Sequence, residues 1–289
     1  MYIRKPSVAG AFYPSDAEKL RKMINGFLAA VDEKEKITDK VVGIVSPHAG
    51  YIYSGPVAAY GFKLLKDAPY KGYVVISPSH RARFNGASVL PEGFYSTPLG
   101  NVEVDSDIGK ALTLKNLFAY IPEIDQPEHS LEVQIPFLQL VCSDFKIVPV
   151  VIGTTDLNLC SEIGNLIADE VLSANKDYGV IISTDLSHYY SYETAKRIDG
   201  EFARALSLFD EKAIDQAIKS KKAEACGEGA VLSGIVLAKR LGASKAKILK
   251  YANSGDTAGP KNEVVGYISA ALLRSEERRV GKECTSWCR

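Results

Sequence analysis

The 289-residue sequence has no excess of charge of either sign, with 35 Lys+Arg against 35 Asp+Glu. Broad binding to nucleic acid or to an anionic membrane draws on a positive surplus, so neither partner is expected. No apolar run has the length of a membrane span, and Met1–Gly10 lacks the hydrophobic stretch of a secretory signal. A cytoplasmic protein is the expectation. Internal repeats, low-complexity tracts and Pro/Ser-rich linkers are absent from residues 1–273, which read as one domain. Hydrophobic residues at 46% and charged residues at 24% exclude wholesale disorder.

Tryptophan occurs once and cysteine five times. The tryptophan and two of the cysteines, Cys284 and Cys288, fall in residues 274–289, which follow an apolar stretch and have neither helical nor strand periodicity. That segment is read as a non-native cloning or read-through tail outside the fold. Without its five basic and three acidic residues, 30 Lys+Arg face 32 Asp+Glu, and the domain is slightly acidic. Cys142, Cys160 and Cys226 remain, an odd and widely spaced set that makes no disulfide framework and implies a reducing compartment.

Apolar runs rich in Val and Ile recur at Val41–Ser46, Tyr73–Ser77, Lys146–Ile152, Gly179–Thr184, Lys245–Tyr251 and Val264–Ala270. Each is short enough for a buried strand. Helical stripes lie between them. Leu20, Ile24, Phe27 and Val31 share one face after a Ser15-x-x-Glu18 capping box. Leu159, Ile163 and Ile167 form a second stripe, Ala195, Ile198, Phe202 and Phe209 a third, and Ala230–Leu241 a fourth. Leu131, Ile135, Leu138 and Cys142 fit another helix, which Pro136 should kink or split. Alternating strands and helices predict an α/β protein with a largely parallel or mixed sheet covered on both faces.

Only four histidines are present, and their placement is informative. His48 follows the first run in Ser46-Pro-His-Ala-Gly-Tyr51, His80 the second in Ser77-Pro-Ser-His80, and His188 the fourth in Thr184-Asp-Leu-Ser-His-Tyr189. His129 precedes a helix in Pro127-Glu-His-Ser-Leu-Glu132. Loops at the carboxyl ends of strands form the ligand crevice of open α/β sheets. One such histidine is more often a capped or solvated loop residue. Three together favour a shared site that binds metal or moves protons.

Cys226, in Cys226-Gly-Glu-Gly229, lies just before the fourth helix, where the helix dipole should lower the thiol pKa. A small buried residue at a turn is the rival reading. With imidazoles, its thiolate makes a soft N/S donor set for iron, copper or zinc. Asp185 either orients His188 or caps the turn. Ser54 and Pro56 suggest a helix start whose N-terminus could hold an anionic substrate group near His48. Walker-type, H-E-x-x-H and G-x-S-x-G signatures are missing, and Gly227-Glu-Gly229 follows no strand, so it is a poor dinucleotide loop.

Through Arg4-Lys-Pro-Ser-Val-Ala-Gly-Ala-Phe-Tyr-Pro14, Pro47-His-Ala-Gly-Tyr51, Glu128-His-Ser-Leu-Glu-Val-Gln134, Thr184-Asp-Leu-Ser-His-Tyr189 and Cys226-Gly, the sequence resembles the Memo family over residues 1–273. That family is similar to class III extradiol dioxygenases, which implies a three-layer α/β/α sandwich with a mixed, largely parallel sheet and a site at its edge. The resemblance implies metal ligation by His48, His80 and Cys226, a catalytic base at His188 with Asp185 beside it, and a further pocket histidine at His129. The dioxygenases use two histidines and a carboxylate on iron. The position matching the carboxylate is Cys226, an oxidisable thiolate, which argues against ring cleavage. Bacterial and archaeal members are associated with radical-SAM and AMMECR-type partner proteins in the AmmeMemoRadiSam system, and eukaryotic members with cell motility and redox signalling.

The leading expectation is an iron- or copper-dependent redox protein acting on a small molecule. A non-catalytic protein that binds a peptide or anion, or carries metal, is the alternative. Zinc-dependent hydrolysis is a third reading.

Overall fold

The computed structural model describes residues 2–32, 37–66 and 68–275, so the segment read as a tail lies, from residue 276 on, outside the described residues. The chain opens with β1 (Ile3–Arg4), an arm of turns, and α1 (Ala17–Ala29). A β–α–β unit follows: β2 (Lys40–Ser46), α2 (Tyr51–Lys63) and β3 (Gly72–Pro78). Short elements come next, β4 (Ala87–Val89), β5 (Phe94–Thr97), β6 (Gly100–Glu103), α3 (Ser106–Thr113) and β7 (Phe118–Ala119). Three brief helices, α4 (Pro122–Asp125), α5 (His129–Glu132) and α6 (Ile135–Val141), lead into β8 (Lys146–Ile152). Beyond α7 (Leu157–Ser173) lie β9 (Tyr178–Ser183) and β10 (His188–Tyr190). Helices α8 (Tyr192–Ser207), α9 (Glu211–Lys219) and α10 (Glu228–Arg240) precede β11 (Lys245–Asn253), α11 (Ser254–Thr257) and β12 (Val264–Arg274).

Nine strands make one sheet in the order β10-β12-β2-β9-β3-β8-β4-β7, with β11 also paired to β12. Its centre, β2-β9-β3-β8, is parallel, while β12 and β4 join antiparallel on either side. Alternate side chains of the central strands enter two separate cores. Val74, Ile76, Val180 and Ile182 pack with α7, α8, α9 and α10, whereas Tyr73, Val75 and Ile181 pack with α1, α2 and α6. Burial on both faces is why these strands read as unbroken Val/Ile runs. The result is a three-layer α/β/α sandwich with a mixed, largely parallel sheet. A small sheet, β1-β5-β6, lies apart from it. Among the described residues no helix is long and apolar enough to cross a membrane.

All six expected strands form. Those not foreseen, β1, β4 to β7 and β10, are two to four residues long, too short for a periodic pattern. Pro136 does divide its helix, since α5 and α6 are distinct and the proline sits in the first turn of α6. The strand β12 continues to Arg274, whose guanidinium donates to the Leu241 carbonyl at 2.5 Å.

The capping box is a correction. The N-cap of α1 is Asp16, not Ser15, and its carboxylate accepts from the Lys19 amide at 2.9 Å. Asp16→Ala should therefore cost about 1 kcal/mol, and Ser15→Ala should stay within about 0.5 kcal/mol. Chemical denaturation of the two variants checks this, and a larger loss at Ser15 would restore the box.

Candidate metal centre

Because β2, β9 and β3 are parallel neighbours, the loops leaving their carboxyl ends meet. These loops carry His48, Asp185 and His80. His188 comes slightly later, as the first residue of β10, paired with Val265. His129 begins α5, and the neighbouring Ser130 hydroxyl donates to the Pro78 carbonyl at 3.1 Å, docking that helix on the end of β3. Cys226 is pinned to the end of β9 by bonds from its own amide to the Asp185 carbonyl, 3.2 Å, and from the Gly227 amide to Thr184 Oγ1, 3.0 Å. A side chain at Gly227 would stand 2.5 Å from the Ser183 carbonyl oxygen, so this close approach requires glycine.

The loops bring three imidazoles together. Ring nitrogens of His48, His80 and His129 lie within 4.8 Å of one another. Ring centroids are 5.2 Å apart for His48 and His80, 5.6 Å for His48 and His129, and 4.6 Å for His80 and His129. Cys226 Sγ meets this group from the His48 side, 3.1 Å from Nε2, and Asp185 Oδ2 is 4.0 Å from the same nitrogen. His188 stands outside the mutual group and pairs T-shaped with the Tyr189 ring.

Hydrogen bonds set which nitrogen each ring offers. The Ser183 hydroxyl donates its only proton to the Ser130 carbonyl at 2.7 Å, so its lone pairs must accept from Gln134 Nε2 and from His48 Nδ1, each at 2.8 Å. His48 Nε2 is thereby left as a bare lone pair facing the cluster. His80 Nδ1 donates to Glu128 Oε1 at 2.9 Å, and His129 Nδ1 is 3.5 Å from the same oxygen. His188 Nδ1 donates to the Leu186 carbonyl at 2.8 Å. Glu128 is itself seated by the amides of His80, 2.7 Å, and Ser130, 3.0 Å. Second partners of this kind hold metal-ligating histidines in one tautomer.

The electrostatics favour neutral, lone-pair-bearing rings at His48, His129 and His188. Burial, reinforced by the neighbouring histidines, holds His48 well below the ordinary imidazole range. Burial pushes His129 down to about 4, against the pull of Glu128, and lowers His188 too. Burial alone would raise Glu128, but the His80 bond and charge and the backbone amides overcome it and hold the carboxyl at about 2. Burial raises Asp185 to about 7, although the His48 and Ala49 amides bond its charged form. Burial, and then the Asp185 charge, push the Cys226 thiol up. The lowering expected from the helix dipole is thus reversed: although α10 begins at Glu228, close to Cys226, loss of hydration outweighs a partial charge. A metal would supply the charge that thiolate formation needs.

Two further expectations change. Ser54 is no cap, because α2 starts at Tyr51 with Gly50 at its N-cap, and the Ser54 hydroxyl donates inside the helix to the Ala49 carbonyl at 2.8 Å. Nor is that N-terminus open to an anion. The Asp185 carboxylate takes the His48 amide at 2.8 Å, and the Phe12 carbonyl takes the Tyr51 amide at 2.8 Å. Glu128, Ser130, Gln134 and Ser183 were not singled out in the sequence. The first three lie in the conspicuous run Glu128–Gln134 beside His129, which was the available signal; Ser183 ends an ordinary apolar strand and gave none.

The donor set suits a transition metal. Three imidazoles and a thiol are the ligands of zinc, iron or copper, not of magnesium or calcium.

Comparison with known proteins finds relatives along nearly the whole chain. Residues 4–271 match the family model described as Memo-like protein. A MEMO1 family protein of Methanosarcina mazei is 38% identical over 278 residues, covering 94% of this chain and 99% of that protein. One of Methanothermobacter thermautotrophicus is 35% identical, covering 92% and 98%. One of Saccharolobus solfataricus is 38% identical, also covering 92% and 98%.

Proposed function

Because the chain belongs to the Memo family, and its site gathers three imidazoles, two of them with fixed tautomers, we propose that it is an iron- or copper-dependent redox protein acting on a small molecule. The observation that supports this most is the convergence of His48, His80 and His129 within 4.8 Å. His48 and His80 would hold the metal. His129 completes the group of imidazoles, and Cys226, 3.1 Å from His48 Nε2, offers a thiolate donor. A bound iron or copper ion supplies Lewis acidity and electron transfer.

The chain's own groups supply the proton chemistry. His188, lowered by burial, is neutral at pH 7, and its Nδ1 is committed to the Leu186 carbonyl, so Nε2 is the atom that accepts a proton from a bound hydroxyl. Asp185 serves the other side of the site: its carboxylate accepts the His48 amide at 2.8 Å and lies 4.0 Å from His48 Nε2, so it positions His48, not His188. Partnership with radical-SAM and AMMECR-type proteins belongs to the same reading and rests on family resemblance.

Oxygen consumption with ascorbate as electron donor tests it. Protein loaded with iron or copper should consume oxygen, zinc-loaded protein should not, and His188→Ala should lower the rate by about 100-fold or more. Tight metal binding with no oxygen uptake would overturn the redox reading in favour of a metal carrier. Hydrolytic turnover with zinc alone would replace it with hydrolysis.

A further inference from the structure

Among the described residues, five other than glycine adopt positive φ: Asp144, Asn175, Tyr189, Phe209 and Lys221. Four have an ordinary reason. Asn175, Phe209 and Lys221 directly follow the C-caps of α7, α8 and α9, where chains commonly turn left-handed. Asp144 lies in the turn between α6 and β8, and aspartate enters this region readily. Tyr189 is different. It sits inside strand β10 with φ 64°, at a bulge where His188 to Tyr190 oppose only Val264 and Val265. The left-handed position of such a bulge ordinarily belongs to glycine, and a bulky ring there is strained.

Packing does not explain the tyrosine, because Tyr189 is 73% exposed. Its neighbours do. The ring stands T-shaped against His188, with centroids 5.8 Å apart, and the bulge that strains it also holds it beside that histidine. A second aromatic ring, Phe12, lies 4.9 Å from His129 in the same site.

We propose that Tyr189 determines specificity: its strained bulge holds a ring out beside His188 to receive the flat, unsaturated face of the small molecule on which the site acts. This deepens the function proposed above and rests on it. An aromatic platform discriminates a planar ring from a puckered one through ring–ring contact, an advantage of about fivefold in affinity.

Phenol and cyclohexanol carry the same hydroxyl on a flat and a puckered ring, so they serve as probes, titrated by NMR against zinc-loaded and metal-free protein. Wild type and Tyr189→Phe should prefer phenol, and Tyr189→Ala and Tyr189→Gly should lose that preference. Thermal unfolding reads the strain. Glycine at 189 should melt about 2 °C above alanine, the reverse of an unstrained strand position. Equal binding of both probes to wild type, a preference retained without the ring, or alanine melting above glycine would each overturn the assignment. Failure of wild type to take up zinc would remove the metal reading, while the comparison of probes on metal-free protein would still decide the role of Tyr189.

Discussion

Replacing Glu132 by alanine should destabilise the fold by about 3–5 kcal/mol, lowering the midpoint of thermal unfolding by roughly 10 °C. Glu132 and Arg4 are fully buried, and the two side chains are paired beneath the histidine loops. Glu132 Oε1 accepts from the Val8 amide at 3.0 Å and Tyr13 hydroxyl at 2.6 Å, and Oε2 from the Ser7 amide and hydroxyl, each at 2.8 Å. Arg4 also donates to the Glu128 carbonyl at 2.6 Å. One carboxylate thus fastens the N-terminal arm to the segment that carries Glu128 and His129. Alanine would leave the buried guanidinium and four other donors without their acceptor, and that loss is the source of the cost. Restoring an apolar pair, Arg4→Met with Glu132→Leu, should recover part of the loss.

The same group fixes a pH dependence. Burial alone would raise the Glu132 carboxyl, but the Arg4 charge and the Tyr13 and Arg4 bonds overcome it and hold the group below its usual 4.5. A lowered carboxyl contributes its full stability above the unfolded value and loses it as pH falls through the folded one. The gap between wild type and Glu132→Ala should therefore be constant from neutrality to about pH 4.5 and narrow below it. Urea titrations at several pH values check both claims, and a variant within about 1 kcal/mol of wild type at pH 7 would show that the clamp carries little.

Metal affinity should fall on the order of 100-fold or more in His48→Ala, which loses a ligand, and about 10- to 100-fold in Glu128→Ala, which loses none. Glu128 Oε1 faces both His80 Nδ1, 2.9 Å away, and His129 Nδ1, 3.5 Å away. Without it those rings can rotate or change tautomer, so two of the three convergent nitrogens are no longer held in place. Competition dialysis with zinc against a chelator of known affinity measures the change, with circular dichroism to confirm the fold. Equal affinity in wild type and His48→Ala would remove the site. Equal affinity in Glu128→Ala would mean that packing alone orients the rings.

The legible part of the site was its backbone. Ser46-Pro-His48 and Ser77-Pro-Ser-His80 end strands whose Val/Ile runs stand out, so their place at a carboxyl-end rim followed from register. Pro136 marked its helix break because a proline lacks the amide an inner turn needs. Short strands were invisible, since two residues such as Phe118 and Ala119 carry no period. The Cys226 thiol departs from its expected lowering because the sequence shows the helix beside it but not its burial next to Asp185.

What the sequence determined by itself is local: the six long strands, the helices between them, and four histidines set near their ends, because periodicity and turn chemistry act over a few residues. The tertiary structure decided the rest. Strand order β2-β9-β3 makes neighbours of loops far apart in the chain. The tautomer of His48 depends on Ser183, 135 residues away, and that of His80 on Glu128, 48 residues away. Such bonds form only when the sheet has assembled, which is why the site's residue types were readable and its chemistry was not.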